Sequence, residues 1–467
     1  MENSLTHGVT FSQLSKPIGD AFKESCSREP LKTLQLLLGT NRDLFLVGGA
    51  VRDLLSGKEF KDIDLATPLH PEEVSEILKS AGIRVIETGI LHGTLTAIVD
   101  DHSVEITTFR KPGPRNSGLF SASIKEDLSG RDFTINAIAV RLEDGVIADP
   151  FDGYADLTAG LVRAVGNATE RFEEDPLRLM RMVRFGPAWG HTVEPQTLAA
   201  ACKSSALISK ITPERIRDEL NQILLGPVAS EGIRALQETG ILTKILPEIK
   251  SSIGFEQNDF HIHDVFEHTL WVLERSAHDL PLRLACLFHD LGKPGTLSVD
   301  KDNNRHFYSH EYAGEEIAKR AMTRLCYGKK LQKQVALLVR YHMRPLDCGP
   351  AGVRRLLRDL GDDFDSWLLL KQADKPPVMS DQEFKVMYDN FMQMVQTELE
   401  KSQNKSPKLA ITGDDLIELG YSPGPEMGRM LRDLEELIIE DPDKNQVEQL
   451  VNHIKKTTPF PDKGGLE

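Results

Sequence analysis

The sequence predicts an α+β protein in which a mixed α/β head precedes a mainly α-helical remainder. Residues 41–165 alternate short apolar runs with helical stretches, whereas helical periodicity dominates from residue 166 onward. A glycine pair and two aspartates lie in the first part, and an ordered series of histidines and aspartates lies in the second. We predict an N-terminal helical segment 1–40, the head 41–165, a helical neck and body 166–250, a histidine-rich helical domain 251–377 and a helical tail 378–467.

The length and composition indicate a globular protein with several domains. A chain of 467 residues allows about three domains, and 40% apolar with 27% charged residues is ordinary for such proteins. No apolar run approaches about 18 residues, and the first residues lack a signal-peptide layout. The five cysteines are scattered without a Cys-x-x-Cys pair, which argues against a structural zinc site. We therefore predict a cytoplasmic protein with no membrane contact.

The net charge of −15 is unusual for a nucleic-acid-binding protein, which ordinarily carries a basic surface. The basic residues are concentrated, however. Residues 319–358 contain eleven Lys or Arg and one acid, Asp347. This stretch is either a local RNA-binding patch or a solvated helix face, and both interpretations stay open.

Residues 45–64 carry the most informative pattern of the chain. A short apolar strand ends in Gly48-Gly49, a helical stretch follows, and a second strand carries Asp62 and Asp64. Side chains alternate along a strand, so the two aspartates point to one side and repel each other unless a cation lies between them. Glycines that let backbone N–H groups approach a phosphate, beside ligands for a divalent ion, predict phosphoryl or nucleotidyl transfer. The alternative is a pair of solvated surface charges.

Further motifs follow in order along residues 40–245. They are Gly48–Asp53 with Asp62–Asp64, His92–Thr94, Glu105–Arg110, Arg131–Ala137, Asp149–Gly153 with Asp156–Leu157, Glu174–Arg178 with Arg181 and Arg184–Phe185, and Ser209–Leu220. This series resembles the bacterial and eukaryotic type (class II) of tRNA nucleotidyltransferases and their poly(A) polymerase relatives. The resemblance implies a polymerase-β-like nucleotidyltransferase head that adds nucleotides to RNA.

The resemblance implies roles for the head residues. Asp62 and Asp64 would hold Mg²⁺, and strand alternation allows Glu105 to join them, although Glu105 is equally compatible with a solvated sheet position. Arg131 would pair with triphosphate oxygens through its planar fork. The other nucleotide-binding residues of the head are expected to be Gly48, Gly49, Arg52, Asp132 and Asn136, and for Asn136 a hydrogen bond within the scaffold stays an alternative.

A carboxylate and an arginine can select a base without a template. Asp175 and Arg178 are three residues apart, which predicts neighbours on one helix face. A carboxylate accepts from the exocyclic amine of cytosine or adenine, whereas uracil and guanine present a carbonyl there. In the context of the other motifs we expect base selection here, with Arg181 and Arg184 on the same face. An ordinary surface salt bridge is the alternative.

Residues 263–375 predict a second chemical centre. Imidazoles and carboxylates at the ends of several helices suit one or two divalent metals. The ordered set resembles the HD phosphohydrolase family, and the ligand positions are His268, His289, Asp290, His310, His342 and Asp374. A divalent transition metal or Mg²⁺ is expected there, and Lys293 could steady a phosphate oxygen. A helical spacer without activity is the alternative, and we expect His263 and His306 at the surface.

The predicted function is the addition of C and A from CTP and ATP to the acceptor arm of tRNA, without a nucleic-acid template. Two departures qualify the resemblance. Gly130 precedes Arg131 where the family has two adjacent arginines, and the loop Lys111–Glu126 is short. Because a short loop is typical of relatives that add only two cytidines, a CC-only enzyme stays an alternative. A poly(A) polymerase and an HD phosphohydrolase with a non-catalytic RNA-binding head are the others, and the sequence does not indicate the oligomeric state.

Overall fold

The computed structural model of the chain describes residues 29–39, 43–58, 62–111, 113, 119–257, 263–401 and 409–458. Residues 1–28 and 459–467, which include most of the predicted N-terminal segment and the end of the tail, lie outside this range. The α+β fold class is confirmed, because one mixed sheet at the front of the chain is followed by helices.

A seven-stranded sheet with the order β3-β4-β5-β2-β1-β6-β7 forms the head. Its strands are β1 (Phe45–Val47), β2 (Ile63–Thr67), β3 (Arg84–Ile86), β4 (Thr94–Val99), β5 (His102–Thr108), β6 (Ala139–Arg141) and β7 (Ile147–Ala148). The pairings are antiparallel except for β2 with β5, which run parallel. The helices of this part are α1 (Glu29–Leu38), α2 (Gly49–Leu55), α3 (Pro71–Ser80) and α4 (Ile124–Ser129).

Helix α1 is part of the head core and is not peripheral. Its residues Leu31, Leu34 and Leu38 are almost fully buried and share one apolar cluster with the sheet. Three leucines at this spacing lie on one helix face, so the helix buries a continuous apolar stripe. The predicted boundary at residue 40 therefore does not separate two packing units.

The register of β2 against β5 determines which side chains meet. Asp64 pairs directly with Glu105, and the neighbouring pairs Ile63–Val104 and Leu65–Ile106 are apolar. Those four apolar side chains are buried in the core under the sheet. Because strand residues alternate in direction, Asp64 and Glu105 lie together on the opposite face.

The neck is helical and connects the head to the rest of the chain. Its elements are α5 (Gly153–Thr158), the short parallel pair β8 (Leu161–Val162) and β9 (Thr192–Val193), α6 (Ala168–Glu174), α7 (Arg178–Phe185), α8 (Pro195–Ser204), α9 (Pro213–Leu224), α10 (Ala229–Glu238) and α11 (Leu242–Ile245). Two 3-10 turns flank α8, at Pro187–Trp189 and Ser205–Lys210.

The histidine-rich domain shares one hydrophobic core with the neck. Its helices are α12 (Val265–Arg275), α13 (Leu280–Phe288), α14 (His310–Arg324), α15 (Lys329–Tyr341), α16 (Pro350–Leu360) and α17 (Phe364–Ala373), with a hairpin of β10 (Ser298–Val299) and β11 (Arg305–His306). The buried Arg283 donates to the carbonyls of Leu224 and Gly226 at the end of α9. Helix-end carbonyls lack intrahelical partners, so this arginine satisfies them and joins the two units.

The C-terminal part begins with α18 (Asp381–Lys401), which packs Phe391 and Val395 into the shared core. Helices α19 (Gly413–Glu418), α20 (Pro425–Glu440) and α21 (Val447–Thr457) enclose a separate small core. Among the described residues, no helix is both long and apolar enough to cross a bilayer.

The basic stretch 319–358 is partly an intramolecular interface. Arg354 pairs with Glu398 of α18, and both Arg355 and Arg358 pair with Glu436 of α20. These arginines therefore hold the C-terminal helices against α16. For this part of the stretch, neither the RNA-binding patch nor the solvated face describes the structure.

Candidate active site

A cavity of about 760 Å³ opens between the head sheet and the neck helices. All of the head and neck residues predicted as catalytic or nucleotide-binding line it. They are Gly48, Gly49, Arg52, Asp62, Asp64, Glu105, Arg131, Asp132, Asn136, Asp175, Arg178, Arg181 and Arg184. The volume suits a nucleotide, because small-molecule sites are ordinarily about 300–1,000 Å³.

Gly48 forms the turn between β1 and the start of α2. Its φ of 71° lies in the left-handed region, which glycine adopts without strain. A Cβ atom there would lie 3.3 Å from both Asp64 Oδ2 and Arg131 Nη1. Glycine therefore leaves room between an acid and a cation, where the backbone can approach a ligand.

Three carboxylates of the predicted metal site lie on one face of the sheet. Asp62 precedes β2, while Asp64 and Glu105 are direct neighbours across β2 and β5. Burial, followed by the charge of Glu105, raises the pKa of Asp64 to about 6, although Arg131 acts in the opposite direction. A cation between these acids would relieve the repulsion, so the donor set fits a divalent ion.

Arg131 lies beside this acidic group. Its Nη2 is 3.2 Å from Asp127 Oδ2, and its buried Nε has no hydrogen-bond partner among the described residues. Gly130, which replaces the second arginine of the family pattern, also lines the cavity, and its carbonyl accepts from Arg178 at 2.8 Å. Position 130 therefore contributes a backbone acceptor for Arg178.

A hydrogen-bond network links the head to α7. Asn136 donates to Asp132 Oδ1 at 3.0 Å and accepts from Arg52 at 2.9 Å, so it does make the scaffold contacts that the sequence left open. Arg181 donates to Asp132 Oδ2 at 2.6 Å. Although burial alone would raise it, the charge of Arg181 and the hydrogen bonds lower the pKa of Asp132 to about 2.

Asp175 and Arg178 do not share a helix face, and this expectation is wrong. Helix α6 ends at Glu174, Asp175 is extended with φ −146°, and α7 begins at Arg178. Pro176 explains the break, because a residue before proline is driven out of the helical region. Asp175 instead accepts from Arg215 at 2.8 Å, and Arg178 pairs with Glu174 at 2.9 Å.

Three residues at the cavity were not among the predicted site residues. Arg215 holds Asp175, and Glu174 holds Arg178. The ring of Phe185 has the guanidinium carbons of Arg52, Arg181 and Arg184 at 4.8, 5.2 and 4.3 Å from its centroid. The motif Arg184-Phe185 and the segment containing Arg215 were visible in the sequence, but only the fold brings them together.

Behind the cavity, the buried Glu219 of α9 faces Arg184 at 3.4 Å and Arg181 at 3.9 Å. Burial raises the pKa of Glu219, against the charges of both arginines. Arg178, Arg181 and Arg184 lie on α7 and all line the cavity, as the helical spacing predicts. Glu219 therefore anchors the outer two from behind.

The base of the short loop is held by a small ladder. Lys111 donates to the carbonyl of Leu119, and Ser121 donates to that of Phe109. Residues 112 and 114–118 lie outside the described residues, and α4 begins at Ile124. The loop predicted to end at Glu126 therefore ends sooner.

The six predicted HD residues converge on one buried centre. His268, His289 and Asp374 form one group of candidate ligands, and Asp290, His310 and His342 form a second. Asp290 connects them: its Oδ2 is 3.5 Å from His268 Nε2, and its Oδ1 is 3.3 Å from His310 Nε2. Except for Asp374, whose side chain is 16% exposed, these side chains are almost completely buried.

Three of the imidazoles have a fixed orientation. The Nδ1 atoms of His289, His310 and His342 lie 2.6–2.8 Å from backbone carbonyls three residues earlier. Carbonyl oxygens only accept, so each Nδ1 carries the proton and each Nε2 is left with a lone pair facing the centre. His289 Nε2 has no hydrogen-bond partner among the described residues. The donor set therefore fits divalent metal ions.

Lys293 lies at the same centre but has other partners. Its Nζ is 2.6 Å from both Asp290 Oδ2 and Gln257 Oε1, and its side chain is buried. His306 is half-buried and pairs with Asp300 in the β10–β11 hairpin, and His263 is also half-buried. Neither histidine belongs to the ligand groups.

Comparison with protein families places four domain models along the chain. The poly A polymerase head domain matches residues 44–163, and a probable RNA- and SrmB-binding site of polymerase A matches 190–253. The HD domain matches 265–374, and a second tRNA nucleotidyltransferase domain matches 369–454.

Among curated proteins, an A-adding tRNA nucleotidyltransferase from Deinococcus radiodurans is 34% identical over 412 residues, covering 84% of this chain and 90% of that protein. A CCA-adding enzyme from Levilactobacillus brevis is 30% identical over 414 residues, covering 87% and 92%. The chain belongs to the class II tRNA nucleotidyltransferase family and carries an HD domain. The resemblance drawn from the motifs is thereby confirmed.

The fold of this tRNA nucleotidyltransferase matches solved structures of the family. The Bacillus stearothermophilus CCA-adding enzyme in complex with CTP superposes with a TM-score of 0.68 at 24% identity, covering 95% of this chain and 99% of that one. The Thermotoga maritima CCA-adding enzyme complexed with tRNA gives 0.59 at 20% identity, covering 94% and 98%. Both the nucleotidyltransferase head and the HD domain are of metal-dependent types.

Proposed function

We propose that this tRNA nucleotidyltransferase adds C and A to the 3′ end of tRNA, using CTP and ATP without a nucleic-acid template. The observation that carries the proposal is the single cavity that brings acids, phosphate-binding groups and base-reading groups together. The relatives named CCA-adding enzyme, and the related structures with CTP and with tRNA, support it.

The acids Asp62, Asp64 and Glu105 would hold Mg²⁺ in the head. Magnesium bound there supplies activation of the tRNA 3′-hydroxyl and neutralises charge on the triphosphate and the leaving pyrophosphate. The protein itself contributes position and charge: Arg131 faces the acids, and the turn at Gly48 leaves its backbone free to approach phosphate oxygens.

Base selection is proposed for Asp175 and Arg178, each held by a partner. The carboxylate of Asp175 accepts from the exocyclic amine of cytosine or adenine, and Arg178 donates to a ring acceptor. Arg215 and Glu174 hold these two side chains at the cavity wall. Uracil and guanine would present a carbonyl to the carboxylate, which leaves the buried acceptor unpaired.

Partial activities are the rival functions. The Deinococcus radiodurans relative is named an A-adding enzyme, which favours addition of the final A alone as a second candidate. The short loop favours addition of the two cytidines alone. Both rivals use the same cavity and differ only in which ends they extend.

Three tRNA substrates separate these functions. The chain is incubated with tRNAs lacking A, CA and CCA, with CTP and ATP supplied singly and together, and product lengths are read on a sequencing gel. We expect all three substrates to reach the full CCA end. Extension of only the first substrate identifies an A-adding enzyme, and arrest after two cytidines identifies a CC-adding enzyme. Asp64→Ala is the control that should abolish every extension.

For the HD centre we propose a metal-dependent phosphohydrolase acting on RNA ends. The support is the buried donor set with its inward-facing imidazole nitrogens. Release of inorganic phosphate from 2′- and 3′-phosphorylated RNA is measured with Mg²⁺, Mn²⁺, Ni²⁺ and Co²⁺. No release with any ion, from a protein whose metal content is verified, would refute the activity. The cytoplasmic location stays a prediction.

A further inference from the structure

Trp189 is an aromatic side chain at the cavity to which the proposed chemistry gives no role. It ends the 3-10 turn Pro187–Trp189, directly after α7. The side chain is half-buried, because one part packs against the neck core and another lines the cavity. Its position after the Arg184-Phe185 motif makes it a neighbour of the nucleotide-binding helix, while its indole contributes no polar contact to the networks described above.

Two cations lie over the indole ring. Lys58 Nζ is 4.9 Å from the centroid of Trp189, and the guanidinium carbon of Arg52 is 5.9 Å from it. Nearby, burial and then the charges of Lys58 and Arg52 lower the pKa of His191. Trp189 therefore lies in a positively charged part of the cavity wall, which is the environment that single-stranded nucleic acid needs.

This place is distant from the groups assigned to the nucleoside triphosphate. Lys58 follows the C-terminal end of α2, whereas Gly48 and Gly49 stand at its N-terminal end. A helix of seven residues separates its ends by about 10 Å. Asp175 and Arg178 supply the base-reading groups elsewhere, so an aromatic ring between cations suits a second nucleotide.

We propose that Trp189 is a stacking platform for a nucleobase of the RNA strand that is being extended, and that Lys58 contacts the adjacent phosphate. The proposal rests on the proposed function, since it names the RNA contact of the same cavity. Trp189 would act as a positioning residue: it holds the end of the strand in place and takes no part in the chemistry.

The exchange of partners on the ring is physically favourable. Lys58 is exposed, and a cation over an aromatic ring at an exposed site is a weak contact. A nucleobase stacked on the indole gains more, and it does so for every base, because each base has an aromatic face. The lysine can then move to the phosphate next to the stacked base. A platform without base preference is what a strand end with changing sequence requires.

The test compares variants that keep or remove the aromatic face. Trp189→Phe keeps a stacking ring, and Trp189→Leu keeps apolar volume without one. With tRNA lacking the terminal A, we expect the leucine variant to raise the KM for tRNA by roughly tenfold or more, while the KM for the nucleotide and the phenylalanine variant stay near wild type. Trp271, which packs against Arg275 in the HD domain, gives the matched control Trp271→Leu.

A binding measurement separates this proposal from the proposed function. Tryptophan fluorescence of the full chain is titrated with tRNA, and we expect quenching that is lost in Trp189→Phe and kept in Trp271→Phe. Lys58→Gln should reduce the slope of log Kd against log salt by roughly 0.7, whereas Lys125→Gln should not. Wild-type protein that quenches but extends no tRNA would overturn the function and leave the platform standing.

Three results would overturn the platform. The first is a leucine variant with wild-type KM for tRNA and an unchanged melting temperature. The second is a variant that raises only the KM for the nucleotide, which would place the incoming base on the ring. The third is equal defects in the leucine and phenylalanine variants, which would show that Trp189 only fills space.

Discussion

Replacing Asp64 by Asn tests the electrostatics of the proposed metal site directly. Burial and Glu105 raise the pKa of Asp64 from 3.8 to about 6. Above pH 6 the native protein therefore keeps an ionised carboxylate in an unfavourable place. One pKa unit corresponds to 1.36 kcal/mol, so the ionised form costs the metal-free protein about 3 kcal/mol. Asn removes the charge, and Asp64→Asn should be more stable by up to that amount.

The direction of the pH dependence is fixed by the same shift. Between pH 4 and pH 6 the native state holds a proton that the unfolded state has lost, so wild-type stability falls as pH rises through this window. The gain from Asp64→Asn should be absent below about pH 4, grow up to pH 6 and stay constant above it. Urea denaturation followed by circular dichroism, in EDTA at pH 4, 5, 6 and 7.5, measures the difference.

Magnesium should reverse the ranking. An ion that binds only the native wild-type site stabilises it, and the variant has lost a ligand. We expect 10 mM MgCl₂ to stabilise the wild type at pH 7.5 and to leave Asp64→Asn nearly unchanged, with no nucleotide addition by the variant. Asp62→Asn is the control for charge alone, because Asp62 is exposed and its loss should alter metal-free stability little. An Asp64→Asn variant that is less stable than wild type at pH 7.5 in EDTA would refute the reasoning.

Three further predictions concern the groups around the two centres. Arg215→Ala should free the carboxylate of Asp175 and raise UTP incorporation at least fivefold relative to CTP, and unchanged discrimination would contradict the role of this pair. Asp132→Asn should cost about 2 kcal/mol at pH 7, because the pKa of Asp132 is lowered to about 2; this stability is present above pH 4 and is lost as pH falls through 2, so equal urea midpoints at pH 7 would contradict it. His289→Ala should lose bound metal by elemental analysis and phosphate release while nucleotide addition continues, and full metal retention would contradict the ligand assignment.

The sequence predicted the chemistry of the head because its motifs are local. Gly48, Asp62 and Asp64 lie within 17 residues, and alternation along β2 determines which side the acids face. The position of Glu105 needed one further fact, the parallel register of β2 and β5, which no local pattern contains. For this reason the sequence left Glu105 open and the fold decides its place.

The base-selecting pair shows where sequence reasoning failed and why. Spacing alone placed Asp175 and Arg178 on one helix, although Pro176 lies between them and signals a break. The true partner of Asp175 is 40 residues away on another helix, and only tertiary packing brings Arg215 to it. The HD ligands were predicted correctly as a set that the fold brings together, because each lies next to an apolar helical run that was itself recognisable.

The acidic net charge and an RNA substrate are compatible because the charges are sorted by the fold. Part of the most basic stretch is occupied: Arg354, Arg355 and Arg358 pair with glutamates of the C-terminal helices. In the cavity, Arg181 is paired with a buried acid, whereas Lys58 is exposed and touches only an aromatic ring. A cation with so weak a contact can move to a phosphate at little cost. The local balance at the cavity, and not the charge of the whole chain, therefore determines where an RNA strand can bind.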